Sequence, residues 1–135
     1  MSVQIDHLGI AVRSLHEGLR FYQELLGMNV THRETVESER VRVAMLPAGS
    51  GSRAPRIELL EPTDPDCTVA RFIETRGPGL HHIALRVDDL QAVVERLRAE
   101  GARLLNEPRE GAGGHTYVFL HPHSTGGVLL ELIQN

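Results

Sequence analysis

The chain has 135 residues, with 14 Lys+Arg against 18 Asp+Glu for a formal net charge of −4. That length is one domain's worth at roughly 100–200 residues per domain, and the acidic balance excludes a general nucleic-acid surface. The single cysteine, Cys67, excludes an internal disulfide framework and a cysteine-based zinc finger, and no apolar run approaches the ~20 residues of a membrane span. The expectation is a cytoplasmic chain: the compartment is reducing, and Met1–His7 carries neither a basic nor an apolar signal-peptide region. Trp is absent and Phe and Tyr are few, but there are eight histidines.

In chain order, Val3, Ile5, Leu8, Ile10 and Val12 read as a strand with one slip of phase near His7. Ser14 and Glu17 form a capping box for a helix in which Leu15, Leu19, Tyr22 and Leu26 share a face and which Gly27 ends. A strand is expected over 28–36. Val41, Val43 and Met45, alternating with Arg42 and Ala44, mark a half-buried one. Pro47–Pro55 is an exposed hairpin loop, and Arg56–Glu61 is a strand stopped by Pro62.

The second half begins again, with a short helix over Val69–Thr75, a turn at Gly77–Gly79 and a strand over Leu80–Val87. Asp88 or Asp89 caps a helix that runs to about Glu100, with Leu90, Val93, Val94 and Leu97 on one face and Gly101 closing it. Short strands are expected at 103–105, 116–121 and 128–133. The glycine-rich loop Gly111–Gly114 precedes the second of these, and the turn His121–Gly127 separates it from the third.

The two halves are copies. Ile5-Asp6-His7-Leu8-Gly9-Ile10-Ala11-Val12 lies without a gap against Leu80-His81-His82-Ile83-Ala84-Leu85-Arg86-Val87. Leu15 matches Leu90, Gly27 falls near Gly101, and Ile57-Glu58-Leu59-Leu60 matches Leu130-Glu131-Leu132-Ile133. Each half reads strand–helix–strand–strand–strand, with His on its first strand and Glu on its last.

His7, Glu58, His82 and Glu131 therefore occupy equivalent positions, and a pseudo-two-fold would bring both pairs toward one point. Two imidazoles and two carboxylates suit a divalent first-row metal; the set is too rich in nitrogen for calcium and lacks the sulfur that selects copper(I). A lone His or Glu on an apolar strand is usually a rim or outward residue, but placing both twice in register is poorly explained by solvent exposure. His81 competes with His82, and the gap-free alignment with His7 favours His82. His16, His32 and His123 read as solvated. His115 and His121 flank a strand beside the glycine-rich loop, whose amides could meet an anion, which makes them candidate substrate contacts.

With the segments Ile-Asp-His-Leu-Gly-Ile-Ala (5–11), Ile-Glu-Leu-Leu-Glu-Pro (57–62), Gly-Leu-His-His-Ile-Ala (79–84), Phe-Leu-His-Pro (119–122) and Gly-Gly-Val-Leu-Leu-Glu-Leu (126–132), the chain resembles the vicinal oxygen chelate superfamily, and within it the methylmalonyl-CoA epimerase family. The resemblance implies an α+β fold. Two paired βαβββ modules (about 3–62 and 79–134) form one domain, a half-open eight-stranded sheet with a metal in the cleft. It implies a homodimer acting on an acyl-CoA, with His7, Glu58 (Gln in some members), His82 and Glu131 as ligands. The ion is expected to be divalent, cobalt first, with manganese, nickel or zinc as alternatives. The implied reaction interconverts (R)- and (S)-methylmalonyl-CoA by C2 proton transfer through a metal-stabilised enolate, with Glu131 as one base. Some members carry a second Glu where this chain has Val43, which leaves water or Glu61 to be considered as the other proton carrier. The net charge does not supply the local cations that the CoA phosphates need.

Glyoxalase I-type lyase chemistry on a glutathione hemithioacetal uses the same ligand count, so only the sequence segments separate it from the epimerase. An extradiol dioxygenase would want two His and a single carboxylate. A metal-free small-molecule binding protein of the same fold would have no reason to keep His and Glu at all four equivalent positions.

Overall fold

A computed structural model describes residues 2–111 and 114–135. The strands are β1 (Val3–Ala11), β2 (His32–Val36), β3 (Val41–Pro47), β4 (Arg56–Pro62), β5 (Gly79–Val87), β6 (Arg109–Glu110), β7 (Thr116–Leu120) and β8 (Leu130–Gln134). The helices are α1 (Leu15–Leu19), which runs on into a π turn over Arg20–Leu25, α2 (Thr68–Arg76) and α3 (Leu90–Ala99). The class is α+β, as expected. The chain groups into two compact units, His7–His81 on one hand and the residues up to Asp6 with His82–Asn135 on the other.

In the unit His7–His81 the strand order is β2-β3-β4-β1. β3 pairs antiparallel with β4, setting Val43 against Leu60 and Met45 against Glu58, and β4 pairs parallel with β1, setting Glu58 against Gly9 and Leu60 against Ala11. Both faces are covered. Leu19, Ala44, Leu46 and Leu59 pack under α1, while Ala11, Val41, Val43 and Leu60 pack with Cys67, Val69 and Ile73 of the α2 segment. Ala44, expected to face outward, is fully buried because α1 covers the second face of β3.

Local signals explain most of the helix ends. Ser14 Oγ accepts the Glu17 N–H at 3.1 Å, and Gly27 follows the helical segment at φ 77°. Between them the helix widens: the Leu26 N–H bonds back to the Phe21 carbonyl, five residues earlier. That extra residue throws Leu26 out of helical phase, so it is 58% exposed where its spacing from Leu15, Leu19 and Tyr22 places it in the core. β2 begins at His32 rather than at 28, although Met28 and Val30 still pack against the α1 core.

In the second unit the order is β5-β8-β7-β6. β5 pairs parallel with β8, setting Ala84 against Glu131, and β8 pairs antiparallel with β7, setting Glu131 against Phe119. One face packs Leu132, Val118 and Leu120 against Leu90, Val93 and Val94 of α3. Asp89, not Asp88, caps α3, its side chain accepting the Ala92 N–H. The strand expected at 103–105 reduces to a single bridge, Leu104 to Leu120, and the fourth strand of the module is Arg109–Glu110. Between them, Asn106 Oδ1 takes the Phe119 N–H with its side chain and Pro108 has no N–H to give, so a continuous ladder cannot form.

The duplication extends to details that sequence matching does not show. Each first strand runs parallel to the last strand of its half, and the Glu of that last strand stands opposite the residue two beyond the His: Gly9 for Glu58, Ala84 for Glu131. Three residues beyond each Glu, a side chain accepts the first N–H of the module's helix, Glu61 from Leu15 at 2.7 Å and Gln134 from Leu90 at 2.6 Å. An open helix N-terminus leaves that donor without an intrahelical partner, so each closing strand is pinned to the helix it covers.

Candidate functional site

Residues alternate across a strand, so His7, Gly9 and Ala11 of β1 share a face with Glu58 and Leu60 of β4. Farther along that face Leu60 and Ala11 enter the α2 core; at its other end His7 Nε2 lies 3.5 Å from Glu58 Oε1. His7 is buried, and the Glu58 side chain keeps 13% exposure. In the second unit His82 Nε2 lies 3.5 Å from Glu131 Oε1, and both residues are buried. The structure thus brings the four expected ligands together in two pairs, one per unit, with the same atoms at the same separation.

The spacing suits metal ligation. A charge-assisted N–H···O bond closes to ~2.7–2.9 Å. Two ligand atoms each ~2.1 Å from one ion sit about 3.0–3.5 Å apart at octahedral to tetrahedral angles. Buried imidazole nitrogen paired with carboxylate oxygen is also the donor chemistry a divalent first-row ion takes.

The remaining candidates fall elsewhere. His81 leaves the Glu-facing place to its neighbour and packs its ring edge-to-face on Phe72 of α2 at 5.0 Å. His121 follows β7, and its Nδ1 accepts the His123 N–H at 2.9 Å, which commits that nitrogen to the turn. His115 precedes β7, half-buried, its carbonyl accepting the Gly111 N–H; the middle of the adjoining loop, Ala112 and Gly113, lies outside the described residues. Glu61 is an odd number of residues from Glu58 and so faces the α1 side, where one oxygen holds the Leu15 N–H and the other the Arg42 guanidinium. Both of its oxygens are thus engaged at the start of α1. Val43, 4% exposed among Leu60, Ile73 and Ala11, offers no acid or base.

Two further features take their place from the fold. Phe119 stands opposite Glu131 and meets the His82 ring edge-to-face at 5.7 Å, with Tyr117 a further 5.8 Å along. Its place in β7, across from the Leu-Glu-Leu of β8, becomes a signal only once that pairing is known. Asp6, next to His7, forms a buried 2.8 Å ion pair with Arg86, which also donates to Gln4.

Comparison with known proteins agrees with this layout. Residues 6–119 match the model of the Glyoxalase/Bleomycin resistance protein/Dioxygenase superfamily. A Streptomyces coelicolor methylmalonyl-CoA epimerase variant, solved in complex with 2-nitronate-propionyl-CoA, is 40% identical with a TM-score of 0.91, covering 98% of this chain and 96% of that one. The mitochondrial methylmalonyl-CoA epimerase of Homo sapiens is 35% identical across 97% of this chain and 73% of its own length. A lactoylglutathione lyase of Haemophilus influenzae also aligns, at 30% identity over 98% of this chain and 93% of its own. The chain belongs to the methylmalonyl-CoA epimerase family of the glyoxalase/bleomycin resistance protein/dioxygenase superfamily.

Proposed function

We propose that the chain is a metal-dependent epimerase that interconverts (R)- and (S)-methylmalonyl-CoA, acting as one domain built from both modules. The observation that carries this reading is the repeated His–Glu pair, His7 with Glu58 and His82 with Glu131, in matching strand register and at matching distance. The relatives named as epimerases match more closely than the lyase, which ranks epimerisation over glyoxalase-type chemistry.

The four side chains would hold one divalent cation, cobalt being the first candidate ahead of manganese, nickel and zinc. Bound there, the ion supplies Lewis acidity toward the thioester and carboxylate oxygens of the substrate. The chain's own residues handle the proton. C2 lies between a thioester and a carboxylate, so its proton is acidified, and the Glu131 carboxylate accepts it as the carbon flattens to an enolate. Glu131 is 8% exposed, which limits the water that could trap the carbanionic carbon unselectively. Epimerisation also needs a proton returned from the opposite side. Glu58, the counterpart of Glu131 in the first module and equally paired with a histidine, is the residue assigned to that return. Val43 and Glu61 are unsuited to the task, one apolar and the other clamped to α1. His115 and His121 would be contacts to the carboxylate or thioester of the substrate.

The same reading places the protein in the cytoplasm as a homodimer. The lone cysteine is buried, and Phe21, Leu25 and Leu26 leave an apolar surface beside the π turn. Among the described residues no helix is long and apolar enough to cross a membrane.

The test is optical. Protein loaded with Co²⁺ and given the (R) enantiomer alone should bring the circular dichroism of the acyl-CoA to the racemic value, while Glu131→Gln should leave it unchanged. Persistence of the starting enantiomer with loaded wild-type protein would overturn the assignment.

A further inference from the structure

Glu131 has one neighbour on each side across the sheet, on its own face. On β5 it stands opposite Ala84, and on β7 opposite Phe119. Directly opposed residues on one face hold their Cβ atoms ~4.5–5.5 Å apart, so the carboxylate is flanked by a methyl group on one side and a phenyl ring on the other. Ala84 is fully buried; Phe119 is not, and it is held by two edge-to-face contacts, with His82 at 5.7 Å and Tyr117 at 5.8 Å. The ring is thus held at its edges by two aromatic neighbours while part of it stays open.

We propose that Phe119 is the specificity-determining wall of the site, the surface against which the alkyl substituent on C2 of the substrate rests. The inference deepens the epimerase reading and depends on it. For proton transfer, C2 must come within hydrogen-bond reach of the Glu131 carboxylate. Every substituent on C2 then lies within one side chain's reach of the residues flanking Glu131. Two of those substituents, the carboxylate and the thioester, carry oxygens that seek charge and donors. The alkyl group is the only apolar one, and Phe119 is the larger apolar neighbour. A ring packed edge-to-face on both His82 and Tyr117 resists swinging aside, so it sets a limit on alkyl length. In a hydrophobic pocket one methylene changes discrimination by about 10–200-fold. Methyl should therefore be favoured over ethyl in this chain by a factor in that range.

The experiment compares methylmalonyl-CoA with ethylmalonyl-CoA on the Co²⁺-loaded wild-type protein and on Phe119→Ala and Phe119→Leu. The two readouts are kcat/KM for C2 exchange and, on a Glu131→Gln background that cannot turn over, the Kd of each acyl-CoA by calorimetry. Phe119→Leu keeps most of the apolar volume and covers the event that the alanine variant unfolds. The expected result is that the ethyl-to-methyl ratio of kcat/KM rises at least about tenfold in Phe119→Ala and by a smaller factor in Phe119→Leu, while the ethyl-to-methyl ratio of Kd falls in step. Equal losses on both substrates, with the ratio unchanged within twofold, would overturn the proposal and leave Phe119 as packing for His82. Silence of the wild-type protein on both substrates would instead refute the epimerase reading, and this inference with it.

Discussion

Glu61 separates two roles by magnitude. Its Oε1 accepts the Leu15 N–H at 2.7 Å and its Oε2 pairs with Arg42, a side chain that is 55% exposed. Glu61→Gln keeps an acceptor for Leu15, as Gln134 does for Leu90 in the other module. It loses only the partly exposed ion pair, worth about 0–1 kcal/mol after screening. Glu61→Ala also leaves a helix-terminal donor unsatisfied, a loss comparable to removing an N-cap, about 0.5–2 kcal/mol. The alanine variant should therefore be ~0.5–3 kcal/mol less stable than the wild type, lowering the midpoint by up to several degrees in a chain of this size. The glutamine variant should unfold close to the wild type. Deuterium exchange at C2 should stay within about threefold of the wild type in both variants at a temperature where they are folded, because a clamp on the α1 side touches no reacting atom. A general acid or base contributes ~10²–10⁴-fold. A hundredfold loss of exchange in Glu61→Gln with an unchanged melting midpoint would refute the clamp assignment and restore Glu61 as a proton carrier.

Asp6→Ala strips the partner from an Arg86 side chain that is 11% exposed, and should cost about 3–5 kcal/mol in urea denaturation, with part of the loss recovered when Arg86→Met is added. Leu59→Ala removes a fully buried side chain from the α1 core and should cost about 2–5 kcal/mol in the same assay. At Gly111 an added Cβ would lie 2.9 Å from Tyr117 Cδ1, so Gly111→Ala should lower stability by about 1–3 kcal/mol, and a neutral result would show that the loop yields freely. His7→Ala and His82→Ala should each weaken Co²⁺ binding by more than the ~10–100-fold typical of residues that only orient a ligand, as read by calorimetry on metal-stripped protein.

The sequence was most informative where a residue type conflicts with its surroundings. His and Glu on apolar strands, repeated at equivalent places, were visible without coordinates because a strand seldom buries a polar group twice by accident. Ser14, Asp89, Gly27 and Gly101 marked helix ends through local hydrogen bonding and backbone freedom, which depend little on the rest of the chain. Features set by tertiary packing were hidden. The π turn that exposes Leu26 breaks the 3.6-residue period on which its assignment to the core rested. The two-residue β6 has too few residues to show any period, and the burial of Ala44 follows from α1 lying over β3. Glu61 was in principle legible, since an odd offset from Glu58 places it on the other face of β4. Phe119 was not, because its relation to Glu131 exists only through the β7–β8 register.

The central claim, proton exchange at C2 of methylmalonyl-CoA, is tested most directly by proton NMR in D₂O. One enantiomer of methylmalonyl-CoA and, in parallel, the hemithioacetal of methylglyoxal and glutathione are incubated with Co²⁺-loaded protein. The account predicts that the C2 proton signal of methylmalonyl-CoA disappears as the sample racemises, while the hemithioacetal yields no thioester. Thioester formation from the hemithioacetal, with the C2 proton of methylmalonyl-CoA untouched, would contradict it.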